Sequence, residues 1–153
     1  MPQVSSRRRF LKSVAAASTF AVPHIVPASV LGRNGAVAPS ERITLGGIGV
    51  GNRGRYVLSR FLLNPDVQMV ANADLQRTRR EQVKQQVDKH YGNSDCVLYR
   101  DMYEIFERDD IDAVLITTGD RWHTLASITA AKAGKDIYCE KPCSMTIEES
   151  RML

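Results

Sequence analysis

From residue 42 to the end of the chain, short apolar runs alternate with stretches whose apolar residues recur every three or four positions. The first run, about 42–48, predicts a strand. Over about 52–63 the residues Val57, Leu58, Phe61 and Leu62 fall at helical spacing, so one helix face packs on a sheet. Asn64-Pro65-Asp66 ends that helix, because proline disfavours helical backbone at the residue before it. A second apolar run, 67–73, predicts another strand. Residues 77–91 are mostly polar, yet Val83, Val87 and Tyr91 stand four apart, giving a solvated helix with one buried stripe and Gly92 as its stop. A short third strand, 96–99, follows. Asp101 then reads as the cap of a helix with Glu104 three positions on, and Met102, Ile105 and Phe106 are assigned to the core. Within 112–118, Ala113-Val114-Leu115-Ile116 is the unbroken apolar run expected of a parallel strand covered on both faces. A helix over about 122–133 with Leu125, Ile128 and several alanines and with Gly134 as its end, a strand over 136–139, and a helix opening near 147 behind Thr146-Ile147-Glu148-Glu149 complete the pattern. The alternation of strand and helix predicts an α/β fold: a Rossmann-type, doubly wound parallel sheet.

The join between the first strand and first helix reads Gly-Gly-Ile-Gly-Val-Gly-Asn-Arg-Gly over 46–54. Gly49, Gly51 and Gly54, with Asn52 and Arg53 between the last two, fit G-x-G-x-x-G in the strand–turn–helix setting that gives this pattern meaning. The first glycine permits the tight turn, the second lets backbone approach a pyrophosphate, and the third allows close helix–strand packing. The first helical turn then offers unpaired N–H groups to phosphate. Asp74 closes the second strand, twenty positions after Gly54. An acid there accepts hydrogen bonds from the adenosine ribose and favours NAD, although Arg77, turned inward, can accommodate a 2′-phosphate and keeps NADP open. Thr117-Thr118-Gly119-Asp120 stands at the carboxyl end of the fourth strand, where open α/β sheets bind ligands.

Charge divides the 153-residue chain. Residues 1–40 carry Arg7, Arg8, Arg9, Lys12 and Arg33 and no acid, whereas 41–153 carry 16 basic and 17 acidic residues. The overall +4 therefore belongs to the leader, and the body gives no reason to expect a nucleic-acid partner. Ser6-Arg7-Arg8-Arg9-Phe10-Leu11-Lys12, ahead of the mild apolar stretch 14–22, resembles a twin-arginine export signal. Pro23 and Pro27 interrupt that stretch, which is too short to span a membrane. The resemblance implies export of a folded protein to the periplasm through the twin-arginine machinery. Ala36-Val37-Ala38 and Ala28-Ser29-Val30 are both candidate cleavage points, and retention of the leader is a third alternative. The expected division is thus a signal and linker over 1–40 and a dinucleotide-binding domain over 41–153. Cys96, Cys139 and Cys143 are odd in number and suggest no disulfide framework, and no metal site is expected.

From Arg42 onward the chain resembles the amino-terminal domain of the Gfo/Idh/MocA oxidoreductases. The resemblance rests on Gly-Val-Gly-Asn-Arg-Gly (49–54), Asp74, Asp120-Arg121-Trp122-His123, and Ala-Gly-Lys-Asp-Ile-Tyr-Cys-Glu-Lys-Pro (133–142), the Glu-Lys-Pro ending being the most specific. It implies that Lys141 contacts the substrate hydroxyl undergoing oxidation. Alone, Lys141 reads as a solvated turn lysine. The resemblance further implies that Glu140 orients Lys141 or lies near the nicotinamide, and that Thr118, Asp120, Trp122 and His123 close around the cofactor. Gly119 departs from the proline of many relatives and makes that loop more flexible. The family continues into a second α/β domain that supplies the substrate pocket, the oligomer interface and usually an acid/base histidine. The chain, ending two turns into a helix, is accordingly expected to be a fragment, inactive alone and homo-oligomeric only at full length. The expected activity of the full protein is hydride transfer between a tightly bound nicotinamide cofactor and a sugar, polyol or related carbohydrate. An NAD-dependent glycosidase using transient sugar oxidation and a non-catalytic nucleotide-binding sensor are the alternatives.

Overall fold

A computed structural model describes residues 37–153. The twin-arginine motif, Ala36 and the rest of the stretch before Val37 lie outside the described residues. Five strands, β1 (Ile43–Ile48), β2 (Val67–Ala73), β3 (Val97–Tyr99), β4 (Ala113–Ile116) and β5 (Asp136–Cys139), form one sheet in the order β3-β2-β1-β4-β5. All four pairings are parallel. The connecting helices are α1 (Asn52–Phe61), α2 (Arg77–Tyr91), α3 (Tyr103–Phe106) and α4 (His123–Lys132), and α5 (Ile147–Met152) follows β5. Sequence order reverses at β1, which pairs with β2 on one side and β4 on the other. Ligands of doubly wound sheets bind at the carboxyl end of that switch point.

Two apolar layers cover the sheet. Leu45, Val57, Leu58, Val83, Val87 and Leu115 belong to one, joining α1 and α2 to the sheet. Ile48, Ile105, Phe106, Val114, Ile116 and Ala126 belong to the other, beneath α3 and α4. A bulge separates Met69 from Ala71: Leu45 pairs with Met69 but Gly46 pairs with Ala71. Met69 consequently lies in the α1–α2 layer and Ala71 and Ala73 in the opposite one, although regular alternation would put all three on one face. The bulge brings the end of β2 into register with the glycine turn, where Gly49 N donates to Ala73 O at 2.8 Å.

The predicted elements are all present: 67–73, 77–91 and 136–139 keep their expected bounds, and most of the others are shorter at one end or both. The start of α4 moves by one residue. Residues 120–122 form a 3₁₀ turn, and the helix begins at His123. His123, Thr124, Ala126, Ser127 and Ala130 are its buried residues, while Leu125 is exposed. Small and polar side chains face the sheet and leave Leu125 outside. The anticipated capping box of α5 is complete: Glu149 N donates to Thr146 Oγ1 at 3.1 Å and Thr146 N to Glu149 Oε2 at 3.2 Å.

Candidate functional site

The glycine turn is shaped from both sides. Gly49 has φ +64°, and a Cβ there would stand 2.8 Å from Thr118 Cα, so both conformation and contact require glycine. At Gly54 a Cβ would stand 3.0 Å from Thr117 Cβ and 3.1 Å from Val50 Cγ1. That absence of side chain seats α1 against β4, and Thr117 Oγ1 donates to Gly49 O at 3.3 Å across the same contact. Gly51 ends the turn as the residue before α1 and gives the helix no side-chain cap. A Cβ on Gly51 would meet only the Arg79 guanidinium, at 3.6 Å. The N–H groups of Asn52 and Arg53 thus begin an uncapped helix beside open space, with the positive end of its dipole aimed there.

Asp74 is 8% exposed. Its Oδ1 accepts from Gln76 N at 2.8 Å, while its Oδ2 is buried and has no partner among the described residues. A buried oxygen without a donor is costly, and a ligand hydroxyl relieves it. Asp74 faces a cavity of about 670 Å³ that it shares with Gly49, Arg79, Met102, Thr118 and Trp122. The cavity, the orphaned oxygen and the uncapped helix fit a dinucleotide: ribose at Asp74 and phosphate at 51–53.

Two expectations on this side need correction. Arg77 does not turn inward; its Nε donates to Glu81 Oε1 at 2.6 Å on the solvent face. The arginine that reaches the cavity is Arg79. It lies four and eight positions before Val83 and Val87, on the stripe that faces the sheet, so helical phase was the signal that distinguishes it from Arg77. Met102 packs against the core as expected but also lines the cavity, together with Arg100 and Asp101 from the loop after β3 and Tyr103 and Glu104 from the start of α3. Nothing in the sequence pattern singled out that loop, because its role comes from the parallel placement of β3 beside β2.

The ends of β4 and β5 carry the remaining residues. Thr118 and Trp122 line the cavity, Trp122 being 46% exposed, and Asp120 opens the exposed 3₁₀ turn between them. His123 lies behind this surface and is 1% exposed. Its Nδ1 is 2.6 Å from Pro142 O and its Nε2 is 3.1 Å from Thr118 O, so the ring ties the β4 loop to the segment after β5. Glu140 is 8% exposed and leaves the sheet with its N–H donating to Ile116 O at 2.9 Å. Its carboxylate accepts from Arg53 Nε at 2.9 Å and from Lys141 N at 3.2 Å. Lys141 is exposed, and the Lys141–Pro142 peptide is cis. Through Glu140 the Glu-Lys-Pro segment stands beside the glycine turn at the same sheet edge. Cys139, partly buried, has its thiol pushed up by desolvation, which keeps it in the unreactive protonated form.

Residues 43–153 match the Gfo/Idh/MocA family, described as an oxidoreductase family with an NAD-binding Rossmann fold. The chain belongs to this family. Its described domain is the NAD-binding Rossmann domain. Among curated relatives, the α-N-acetylgalactosaminidase of Shewanella oneidensis is 32% identical over 94% of this chain and 35% of that protein. A glycosyl hydrolase family 109 protein of Shewanella sp. strain ANA-3 gives the same figures. The chain thus spans about a third of the length of these relatives. Among solved structures, myo-inositol 2-dehydrogenase from Lactobacillus plantarum aligns with a TM-score of 0.62 and 26% identity, over 72% of this chain and 31% of that one. Scyllo-inositol dehydrogenase from Lactobacillus casei, solved with NAD(H) and scyllo-inositol, aligns at 0.61 and 23% identity over 72% and 32%, a likeness of fold.

Proposed function

We propose that the full-length protein transfers a hydride between a tightly bound NAD and a hydroxyl carbon of a sugar, polyol or related carbohydrate. The observation that carries this reading is the bond from Arg53 to Glu140, which sets the residue before Lys141 against the first turn of α1. A cofactor whose phosphates sit on that turn extends along the sheet edge where Lys141 begins its loop. When bound, the nicotinamide supplies the ring that accepts or donates the hydride. The protein groups do the rest. The N–H groups of residues 51–53 hold phosphate, Asp74 Oδ2 accepts from the ribose, and Thr118, Asp120 and Trp122 flank the reactive end. Asp74 favours NAD; Arg79, rather than Arg77, is the residue able to meet a 2′-phosphate. Lys141 Nζ sits at the substrate hydroxyl, stabilises negative charge developing on that oxygen and moves its proton. His123 holds the loop in place from behind.

A second reading is favoured by the resemblance to the α-N-acetylgalactosaminidase of Shewanella oneidensis. In it, the same oxidation is transient: elimination expels the glycosidic group as its alcohol, water adds to the double bond left behind, and the hydride returns from the same cofactor to give the free sugar. The leader supports passage of the folded, cofactor-loaded protein to the periplasm by the twin-arginine route. A downstream domain completes the substrate pocket and joins protomers.

Incubating the full-length protein with polyols, free sugars and aryl glycosides separates these readings. The leading one gives net reduced nicotinamide absorbance with a polyol or sugar. The second gives aglycone without net reduction. Lys141→Ala lowers turnover by roughly 10²–10⁴-fold under either. A nucleotide-binding sensor turns over none of them, and its function survives that substitution.

A further inference from the structure

We infer that Arg53 and Glu140 form a latch that couples filling of the phosphate turn to the placement of Lys141, an inference that rests on the NAD-binding site described above. Glu140 is a positioning residue in this scheme. Its carboxylate is largely withdrawn from water, with a side-chain exposure of 10%, and its two oxygens have separate tasks. Oε1 accepts a hydrogen bond from Arg53 Nε at 2.9 Å, and Oε2 accepts one from Lys141 N at 3.2 Å. The backbone of Glu140 is fixed by the sheet through Ile116 O. The carboxylate therefore connects a helix terminus to a loop across 87 residues of sequence, with a rigid strand beneath it.

The other half of the pair is different. The Arg53 side chain is 65% exposed, and its guanidinium lies 5.4 Å from the centre of the Tyr56 ring. Only its Nε hydrogen-bonds to another described side chain; among the described residues no hydrogen bond engages its two terminal nitrogens. Arg53 is also the second residue of α1, in the turn whose N–H groups face the phosphate space. A guanidinium bound edge-on to a carboxylate keeps further donors for a second anion. Phosphate at the helix terminus thus places Arg53 between two anions. Without Arg53, the same phosphate and the buried Glu140 carboxylate repel each other with no cation between them. Arg53 both permits the phosphate beside Glu140 and transmits its arrival, through the shared carboxylate, to the Lys141 N–H. An ordinary surface ion pair contributes little, but here the acid is buried, so loss of its partner leaves an uncompensated charge.

Amide shifts of the ¹⁵N-labelled full chain test the latch during titration with ADP-ribose, which brings both phosphates to the turn without a nicotinamide ring beside Lys141. In the wild type, the amides of Gly51 and Asn52 and that of Lys141 move with one common midpoint. In Arg53→Ala, the Gly51 and Asn52 amides still move, at roughly tenfold higher ADP-ribose, a loss of one charge-assisted contact. The Lys141 amide stays still. Glu140→Gln retains an acceptor for Lys141 N but loses the charge, and it breaks the common response while the core amides of Leu45 and Val114 keep their wild-type shifts. Those core amides identify a variant that has lost its fold, in which case Glu140→Gln decides. A Lys141 amide that follows ADP-ribose equally well in Arg53→Ala or in Glu140→Gln overturns the latch. So does a wild-type Lys141 amide that ignores ADP-ribose while Gly51 and Asn52 respond. If no amide of 49–54 responds in the wild type, the cofactor reading itself fails and the latch falls with it.

Discussion

The two edges of the sheet handle polar groups in opposite ways. At the amino edge they are used on one another. Asp112 Oδ2 accepts from Thr44 N and from Thr44 Oγ1, both at 2.7 Å, and Asp112 O accepts from Asp136 N at 2.9 Å. Those donors hold the Asp112 carboxyl below its usual range. Lys135 Nζ donates to Arg108 O at 2.6 Å, and Lys84 Nζ donates to Ser94 O and Cys96 O at 2.8 and 2.7 Å. At the carboxyl edge, groups are left unsatisfied: Asp74 Oδ2 has no donor, α1 has no side-chain cap, and Lys141 Nζ has no hydrogen bond to a described residue. The strands run the same way through both edges. The difference lies in loop residues, and it separates a region built for stability from one built to receive a ligand.

The comparison is broken most severely at Gly49. A methyl there adds the strain of a left-handed backbone, about 1–2 kcal/mol, to overpacking against Thr118, about 1–3 kcal/mol. We expect Gly49→Ala to lower unfolding free energy by about 2–5 kcal/mol in urea and to abolish NAD binding. This one residue of the open edge thus carries structural weight as well as function. Wild-type stability with intact binding would remove the turn from the account.

The closed edge is sharpened by pH. Cys96, just before β3, is 4% exposed, and burial pushes its thiol up to about 11 from an ordinary 9.0. A group whose folded value is raised gives stability that is complete below the unfolded value and is lost as pH climbs through the folded one. Stability should therefore fall between about pH 9 and 11, by up to about 2–3 kcal/mol from this thiol. Tyr91, also raised by burial, adds to the loss in the same direction. Cys96→Ala should flatten the early part of that fall in denaturant titrations. An unchanged slope would show that the thiol is not the group responsible.

What could be read from the sequence was local. Ala113-Val114-Leu115-Ile116 announces a buried strand by itself, and the glycine turn lies within one stretch of nine residues. Asp74 follows from its distance along the chain. The bulge before Ala71 was hidden because Met69-Val70-Ala71 is an unbroken apolar run, so no alternation was available there to break. Arg77 and Arg79 are equivalent by composition and separated only by helical phase. His123 carries its information in contacts with residues 118 and 142, and Glu140 in a contact with residue 53. Such links depend on the sheet having brought β1, β4 and β5 side by side, which no short window of sequence contains.

The smallest expected effects test the contrast between edges most directly, because they compare one kind of substitution at two aspartates. Asp112→Asn weakens two bonds from Thr44 and should cost about 1–2 kcal/mol of stability, with NAD affinity unchanged. Asp74→Asn keeps the shape of a side chain with a single satisfied oxygen, so its stability should stay within about 0.5 kcal/mol of wild type. It also removes the charge that receives the ribose and repels a 2′-phosphate. Energy transfer from Trp122, the sole tryptophan, to reduced nicotinamide reads the consequence: NADH affinity falls roughly tenfold, about 1.4 kcal/mol, and NADPH affinity rises. The two measurements should move independently, stability with Asp112 and affinity with Asp74. If Asp74→Asn instead destabilises the fold as much as Asp112→Asn does, its orphaned oxygen is a structural partner in solution. The open edge would then be no more reserved for a ligand than the closed one.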